Sequence, residues 1–191
     1  MLLMDMLRHG ETESGGGFRG SLDDLLTDQG WQQMRQTTSH PAAWDAIISS
    51  PLRRCADFAA QLADQQSLPL FIEDGLRELH FGDWEGKQAQ VLMDECADDL
   101  GRFWENPYTF TPPAGEPMTA FDQRVTSAIQ QIAQRHAGEH VLLVTHGGVM
   151  RLLTARARGL PREQLLQVEV GHGQLVRLQV DDQGGMHECH Y

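Results

Sequence analysis

The chain alternates short apolar runs with segments whose apolar residues recur every three or four positions. Leu2–Leu7, Ala46–Ser49, Leu70–Ile72, Val141–Val144 and Leu175–Val180 have the length and apolar content of strands. Between them the period lengthens. Thr27 and Asp28 offer caps for a helix reaching to about Thr38. Pro51 stands where a second helix can start, with Phe58 and Leu62 on its apolar side. Gln88 to Trp104 reads as an acidic helix, and Phe121, Val125, Ile129 and Ile132 mark a helix from Met118 to about His136. Another is expected from Val149 to Arg158. Four prolines between Asn106 and Pro117 exclude regular structure there. The end, Met186–Tyr191, is expected to pair with the preceding strand across Asp181–Gly185. Strands alternating with helices predict an α/β fold, a three-layer sandwich whose largely parallel central sheet is flanked by helices.

Length and charge narrow the class. At 191 residues the whole chain, 1–191, is expected to be a single domain. Twenty-seven Asp and Glu against fifteen Lys and Arg give a net charge of -12, which argues against nucleic-acid or anionic-membrane partners. No apolar run approaches the ~20 residues of a spanning helix. The apolar start is broken by Asp5 and has no basic lead, so no signal peptide is expected. Cys55, Cys96 and Cys189 are odd in number and form no C-x-x-C pair, which fits a reducing, cytoplasmic setting. The basic residues are fourteen Arg and a single Lys, Lys87.

The chemistry gathers where strands end. One apolar run leads into Arg8-His9-Gly10-Glu11-Thr12, another into Thr145-His146-Gly147-Gly148, and a third into Ser49-Ser50-Pro51-Leu52-Arg53-Arg54. Open α/β sheets bind ligands outside the carboxyl ends of their strands. His9, His146, Arg8 and Arg54 collected there form a pocket of donors and positive charge, suited to a phosphoryl group whose oxygens match the guanidinium fork. Satisfied structural histidines are the alternative, and the pairing of two His-Gly ends with an Arg-Arg pair favours a site. Gly15-Gly16-Gly17 is not followed by Gly-Lys-Ser/Thr, so there is no nucleotide-binding P-loop. His187-Glu188-Cys189-His190 invites a metal, but strand side chains alternate faces, so a polar edge strand is expected and no metal.

Leu7-Arg8-His9-Gly10-Glu11-Thr12 resembles the signature of the histidine phosphatase superfamily, the phosphoglycerate-mutase-like enzymes. Further matches follow in chain order: Gly20-x-x-Asp23-x-x-Leu26-Thr27-x-x-Gly30, Ser49-Ser50-Pro51-Leu52-x-Arg54, Leu76-Arg77-Glu78-x-x-Phe81-Gly82-x-Trp84-Glu85-Gly86 and Val144-Thr145-His146-Gly147-Gly148. The resemblance implies that His9 is the nucleophile, forming a phosphohistidine, with its other ring nitrogen held by a backbone carbonyl. It implies that Arg8, Arg54 and His146 bind the transferring oxygens and that Glu78, starting protonated, is the general acid. Glu85 is the local competitor for that role. Thr12, Gly20 and Gly147 are candidate phosphate or substrate contacts. No cofactor is implied, and residues 76–117 are expected to form a cap or lid.

This sequence departs from the pattern at Gly15, where relatives carry an Asn that reaches phosphate. One phosphate contact is then either missing or supplied by Arg19 or the Gly20 backbone, and the glycine triplet is expected to leave the loop mobile. The short separation of Glu78 and His146 favours a phosphatase over a mutase. The segment Phe103-Trp104, Pro112-Pro113-Ala114-Gly115-Glu116 and Phe121-x-x-Arg124-Val125 is similar to the α-ribazole 5′-phosphate phosphatases of cobalamin assembly. The expected ligand is thus a small-molecule phosphate monoester, handled by a monomer or homodimer. Phosphosugar or phosphoglycerate hydrolysis, mutase activity and a non-catalytic binding module of the same fold are the alternatives. Residues 73–105 hold ten Asp and Glu against Arg77, Lys87 and Arg102, a net of -7, which should disfavour highly anionic bisphosphates.

Overall fold

Six strands build one sheet in the computed structural model, which describes residues 1–39 and 43–189. They are β1 (Leu2–Arg8), β2 (Ala46–Ser49), β3 (Leu70–Ile72), β4 (His140–Thr145), β5 (Leu175–Val180) and β6 (Met186–Cys189), in the order β3-β2-β4-β1-β5-β6. Pairs β2–β3, β2–β4 and β1–β4 are parallel, whereas β5 runs antiparallel to both neighbours. The sheet is therefore mixed, with one reversed strand. The expected pairing of the chain's end holds for Met186–Cys189; His190 and Tyr191 lie outside the described residues.

Helices α1 (Asp28–Thr38), α2 (Arg53–Gln66), α3 (Ala89–Glu105), α4 (Met118–Arg135) and α5 (Gly147–Ala157) cover the two faces. Strand alternation sorts the core. Met4, Met6, Ile48, Val141 and Leu143 pack with α3, α4 and α5, while Leu7, Ile47, Leu142 and Val144 pack with α1 and α2. Covering both faces is what allows β1 and β4 to be apolar almost throughout. Each large apolar side chain buried this way contributes ~1.5–3 kcal/mol.

Local chemistry sets most boundaries. Thr27 caps α1 by accepting from Gly30 N at 2.9 Å. Three helix starts differ from the sequence expectation, that of α3 by one residue, since Gln88 is its cap residue. Helix α2 begins at Arg53 with Leu52 as its cap residue, so Pro51 lies just outside it. Helix α5 begins at Gly147, because His146 is already the extended cap residue. Helix α3 is broken by the non-helical backbone of Cys96. Among the described residues, no helix is long and apolar enough to cross a membrane.

One charge sits inside the sheet. Asp5, in the middle of β1, is fully buried. Its carboxylate accepts from Arg177 Nε (2.6 Å) and Nη2 (2.9 Å) and from Trp44 Nε1 (2.9 Å), and lies 2.9 Å from His140 Nε2. Burial alone raises a carboxyl's pKa; here the bonds from Arg177 and Trp44 and the nearby positive charges outweigh it and hold Asp5 below the usual range. The network ties β1 to β4 and β5. Asp5→Ala should therefore lower stability by about 3 kcal/mol, as expected when one partner of a buried ion pair is removed. Urea unfolding measures this, and a loss under about 1 kcal/mol would mean the pair behaves like a surface contact.

Candidate active site

The parallel register of β1 and β4 sets Arg8 opposite Thr145, so the next residues, His9 and His146, leave the sheet side by side. His9 N donates to Thr145 O at 3.0 Å, and the two imidazole centroids are 5.3 Å apart. Both rings are nearly or fully buried. His9 Nδ1 is 2.8 Å from Gly10 O, and a carbonyl can only accept, so Nδ1 carries the proton. Nε2 keeps its lone pair. Burial, followed by the charge of Arg54, holds the pKa of each histidine well below the ordinary value. Both are neutral at pH 7. His146 Nε2 lies 2.7 Å from Ser50 Oγ, at the end of β2, and Cys55 Sγ sits about as far from one ring nitrogen as from the other, at 3.7 and 3.8 Å. Burial pushes that thiol up to about 12, so it stays protonated.

Arg54, from the first turn of α2, is fully buried and donates through Nη1 to Leu22 O (2.6 Å) and through Nη2 to Gly20 O (2.8 Å). Arg8 Nη1 donates to Val170 O at 2.5 Å. The Nε groups of both arginines are buried and have no hydrogen-bond partner among the described residues. An orphaned buried donor costs ~1–3 kcal/mol, more when charged, and an anion relieves it. The site is thus prepared for negative charge.

Glu78 follows the short turn Asp74–Leu76 and faces α5. Its Oε1 accepts from Leu79 N (2.9 Å) and its Oε2 from Gly148 N (2.8 Å). A Cβ on Gly148 would fall 2.1 Å from Glu78 Oε1, so only glycine lets the carboxylate reach the helix start. Glu85, the local competitor, is spent elsewhere. It accepts from Ser21 N, Ser21 Oγ, Leu22 N and Phe81 N at 2.7–3.2 Å.

The remaining sequence candidates fall into different places. Thr12 is buried and lines a cavity of about 480 Å³ together with Arg8, His9 and Glu78. Gly20 serves through its carbonyl, holding Arg54, and a Cβ there would lie 2.0 Å from Leu79 O. Gly147 lies against the Arg8 guanidinium at the start of α5. The glycine loop is pinned instead of loose. Arg19 donates to Gly15 O (2.9 Å), Ser14 O (2.5 Å), Gly16 O (3.2 Å) and Asp24 Oδ2 (2.7 Å), so its side chain is committed to the loop itself.

Among the ionisable residues of the cavity, sequence reasoning missed His172 and Arg151. The His172 ring centroid is 5.7 Å from that of His9. Burial and then Arg8 lower its pKa. Its signal was present, since His172-Gly173 repeats the His-Gly pair of both other strand ends. Arg151 lies one turn into α5 beside Gly147. Phe18, Phe103, Trp104 and Leu166 form the cavity's apolar wall. Among the described residues, no three His, Cys, Asp or Glu side chains converge as metal ligands would.

A neutral imidazole lone pair set among buried cationic donors, with a carboxyl lining the same cavity, is an arrangement suited to phosphoryl transfer. The chain matches the histidine phosphatase superfamily (branch 1) over residues 4–190, and it belongs to that superfamily. It is 32% identical over 172 residues to the adenosylcobalamin/alpha-ribazole phosphatase of Escherichia coli (strain K12), spanning 88% of this chain and 85% of that protein. It is 35% identical over 167 residues to the glucosyl-3-phosphoglycerate phosphatase of Mycolicibacterium vanbaalenii, spanning 82% and 74%. The solved structure of Bacillus stearothermophilus YhfR superposes with a TM-score of 0.89 at 30% identity, covering 98% of this chain and 95% of that one.

The depressed histidines make a sign-definite prediction. Unfolded, His9 and His146 titrate near ~6.5, whereas folded they stay neutral well below it. The unfolded state binds more protons below that pH, so stability is full above ~6.5 and falls as the pH drops. Each histidine contributes a slope of about 1.4 kcal/mol per pH unit. Urea unfolding at pH 7.0 and 5.5 checks this, and His146→Gln should flatten the slope by about one histidine's share.

Proposed function

We propose that this protein is a phosphomonoesterase that works through a phosphohistidine on His9, with α-ribazole 5′-phosphate as its preferred substrate. The observation that carries the reading is the fixed tautomer of His9: Nδ1–H is tied to Gly10 O, leaving Nε2 to attack. Nε2 forms a bond to phosphorus as the ester P–O bond breaks. Arg8, Arg54 and His146 meet the charge on the non-bridging oxygens, and the carboxyl of Glu78 gives its proton to the departing alkoxide. Water then attacks the phosphohistidine, Glu78 takes its proton, and the His9 lone pair returns. The charge of the transferring group is met by side chains of this chain, so the reaction as drawn needs no metal.

The relatives named as alpha-ribazole phosphatases align over most of their length, but so do those named as glucosyl-3-phosphoglycerate phosphatases, and the preference for the ribazole ester is carried by the cavity wall. The wall of Phe18, Phe103, Trp104 and Leu166 suits a planar heterocycle, and a cavity of about 480 Å³ is within the usual range for small-molecule sites. Residues 76–117 act as its cap: Leu79, Phe81, Ala89, Phe103 and Trp104 all line it. The chain's similarity to a glucosyl-3-phosphoglycerate phosphatase keeps phosphoglycerate esters as the second reading.

His9→Ala should abolish p-nitrophenyl phosphate hydrolysis while leaving the circular dichroism spectrum intact, and near-normal turnover would remove His9 as nucleophile. EDTA should leave the rate unchanged. The substrate is decided by kcat/KM on α-ribazole 5′-phosphate, 3-phosphoglycerate and fructose phosphates. A ribazole ester no better than the others would overturn the substrate assignment while leaving the mechanism standing.

A further inference from the structure

The Gly115-Glu116 and Phe121-x-x-Arg124 elements stand out in the sequence, yet neither Glu116 nor Arg124 lines the cavity. Their contacts converge elsewhere. The Arg124 guanidinium, projecting from α4, donates through Nη1 to Gly75 O (2.9 Å) and Arg77 O (2.8 Å), and through Nη2 to Glu78 O (2.9 Å). The same group is paired with Glu116, Nε to Oε1 at 2.7 Å and Nη2 to Oε2 at 2.9 Å. Glu116 in turn grips the next part of the strap. Its Oε2 accepts from His80 N (3.3 Å), and its own N donates to His80 O (2.8 Å). Four of the six residues from Gly75 to His80 are thus held by this one ion pair, and Glu78 lies among them.

Only Gly75 and Leu76 of that segment belong to the short 3-10 turn Asp74–Leu76, and Arg77–His80 run without helix or strand toward a second turn at Gly82–Trp84, so among the described residues no helical or sheet ladder holds the carbonyls of Gly75, Arg77 and Glu78. Helix α4 is a firm anchor, with Phe121, Val125 and Ile129 buried in the core. The guanidinium is further fixed over the Phe121 ring, 4.9 Å from its centroid, and Phe121 also lines the cavity. Only an arginine offers a planar fork that can serve three carbonyls and a carboxylate together.

We infer that Arg124, braced by Glu116, is the positioning residue of the general acid, fixing the backbone of Glu78 so that its carboxyl meets the leaving oxygen. The inference rests on the reading of Glu78 as proton donor. Proton donation matters in proportion to how poor the leaving group is. A nitrophenolate departs with little help, whereas an alkoxide needs the proton, and positioned acids supply roughly 10²–10⁴-fold. Loss of the clamp should therefore be selective in a way that general loosening of the fold is not.

The experiment compares wild type, Arg124→Met, Glu116→Gln and Glu78→Gln on p-nitrophenyl phosphate, phenyl phosphate and an alkyl phosphate such as β-glycerophosphate. Arg124→Met should lose kcat at least about tenfold more on the alkyl ester than on p-nitrophenyl phosphate, in the direction shown by Glu78→Gln. Glu116→Gln keeps the shape of the brace and should show a smaller selective loss. It becomes the deciding variant if Arg124→Met does not fold. Arg124→Lys should fail to restore alkyl turnover, because one ammonium cannot span the acceptors. Equal losses on all three esters, or none, in variants whose Glu78→Gln counterpart is selective, would overturn the clamp alone. A Glu78→Gln enzyme without selectivity would overturn the acid assignment and the clamp with it.

Discussion

The site depends on holding positive charge in a dry place without cancelling it. Arg8 and Arg54 are fixed by carbonyls, Val170 O for one and Gly20 O and Leu22 O for the other, and among the described residues no carboxylate is bonded to either. A carboxylate would fix a guanidinium as well, but it would also neutralise the charge an incoming anion needs. Neutral acceptors orient the fork and leave its field intact. The cost is visible in the neighbours: burial and like charge push Arg8 down, and burial with Arg54 keeps both histidines neutral. That neutrality is what a nucleophilic imidazole requires. Glu78 is treated by the mirror rule, since backbone N–H groups hold it and, among the described residues, no cation is bonded to its carboxylate.

Fixation of backbone carbonyls by guanidinium forks explains the reliance on arginine, including Arg19 and Arg124, which are also paired with Asp24 and Glu116. Arg19 gathers the glycine loop through three carbonyls, Arg124 gathers the Glu78 segment, and Arg54 gathers the 20–22 turn. That turn is itself held from the far side by Glu85. In each case an irregular segment of backbone, with no ladder of its own, is tied down by a single planar multi-donor group. Lysine presents a point charge and cannot do this. Fourteen arginines against one lysine is therefore a structural fact about the loops as much as a matter of composition.

What was legible in the sequence was what is contiguous in it. The apolar runs announced β1, β2, β4 and β5, and the residues following them announced the histidines and arginines, because a strand delivers its next residues to one edge of the sheet. Glu78 came from its motif and not from any local physical signal. The supports were hidden because they join distant positions: Ser21 to Glu85 across 64 residues, Arg124 to Gly75 across 49, Asp5 to Arg177 across 172. The start of α5 was misplaced by two residues because periodicity weighs apolar positions and does not see a helix opened by two glycines. The glycine loop was read as loose because its composition says nothing of Arg19, four residues on from Gly15, folding back over it.

The acidity of residues 73–105 takes on meaning once its partners are seen. Glu73 is paired with Arg135, Asp74 with Arg77 and Glu95 with Lys87, all toward the exterior, while Glu85 is spent on backbone N–H groups. Asp83, Asp94, Asp98 and Glu105, also exposed, leave the excess negative charge on the exterior of this segment, while Arg8 and Arg151 line the cavity. The two act over different ranges. Exterior carboxylates are screened within ~8 Å at physiological salt and work only on approach, where the repulsion grows with the total charge of the ligand. The guanidinium donors act at hydrogen-bond distance in a poorly screened site, on one phosphoryl group at a time. A second phosphate thus adds to the outer repulsion without meeting the buried Arg8 and Arg54 donors already given to the first, whereas an aromatic leaving group adds contact with Phe18, Phe103 and Trp104 at no charge penalty. Under the proposed reading, this arrangement of charge favours, among phosphate esters, the least charged and most apolar alcohol.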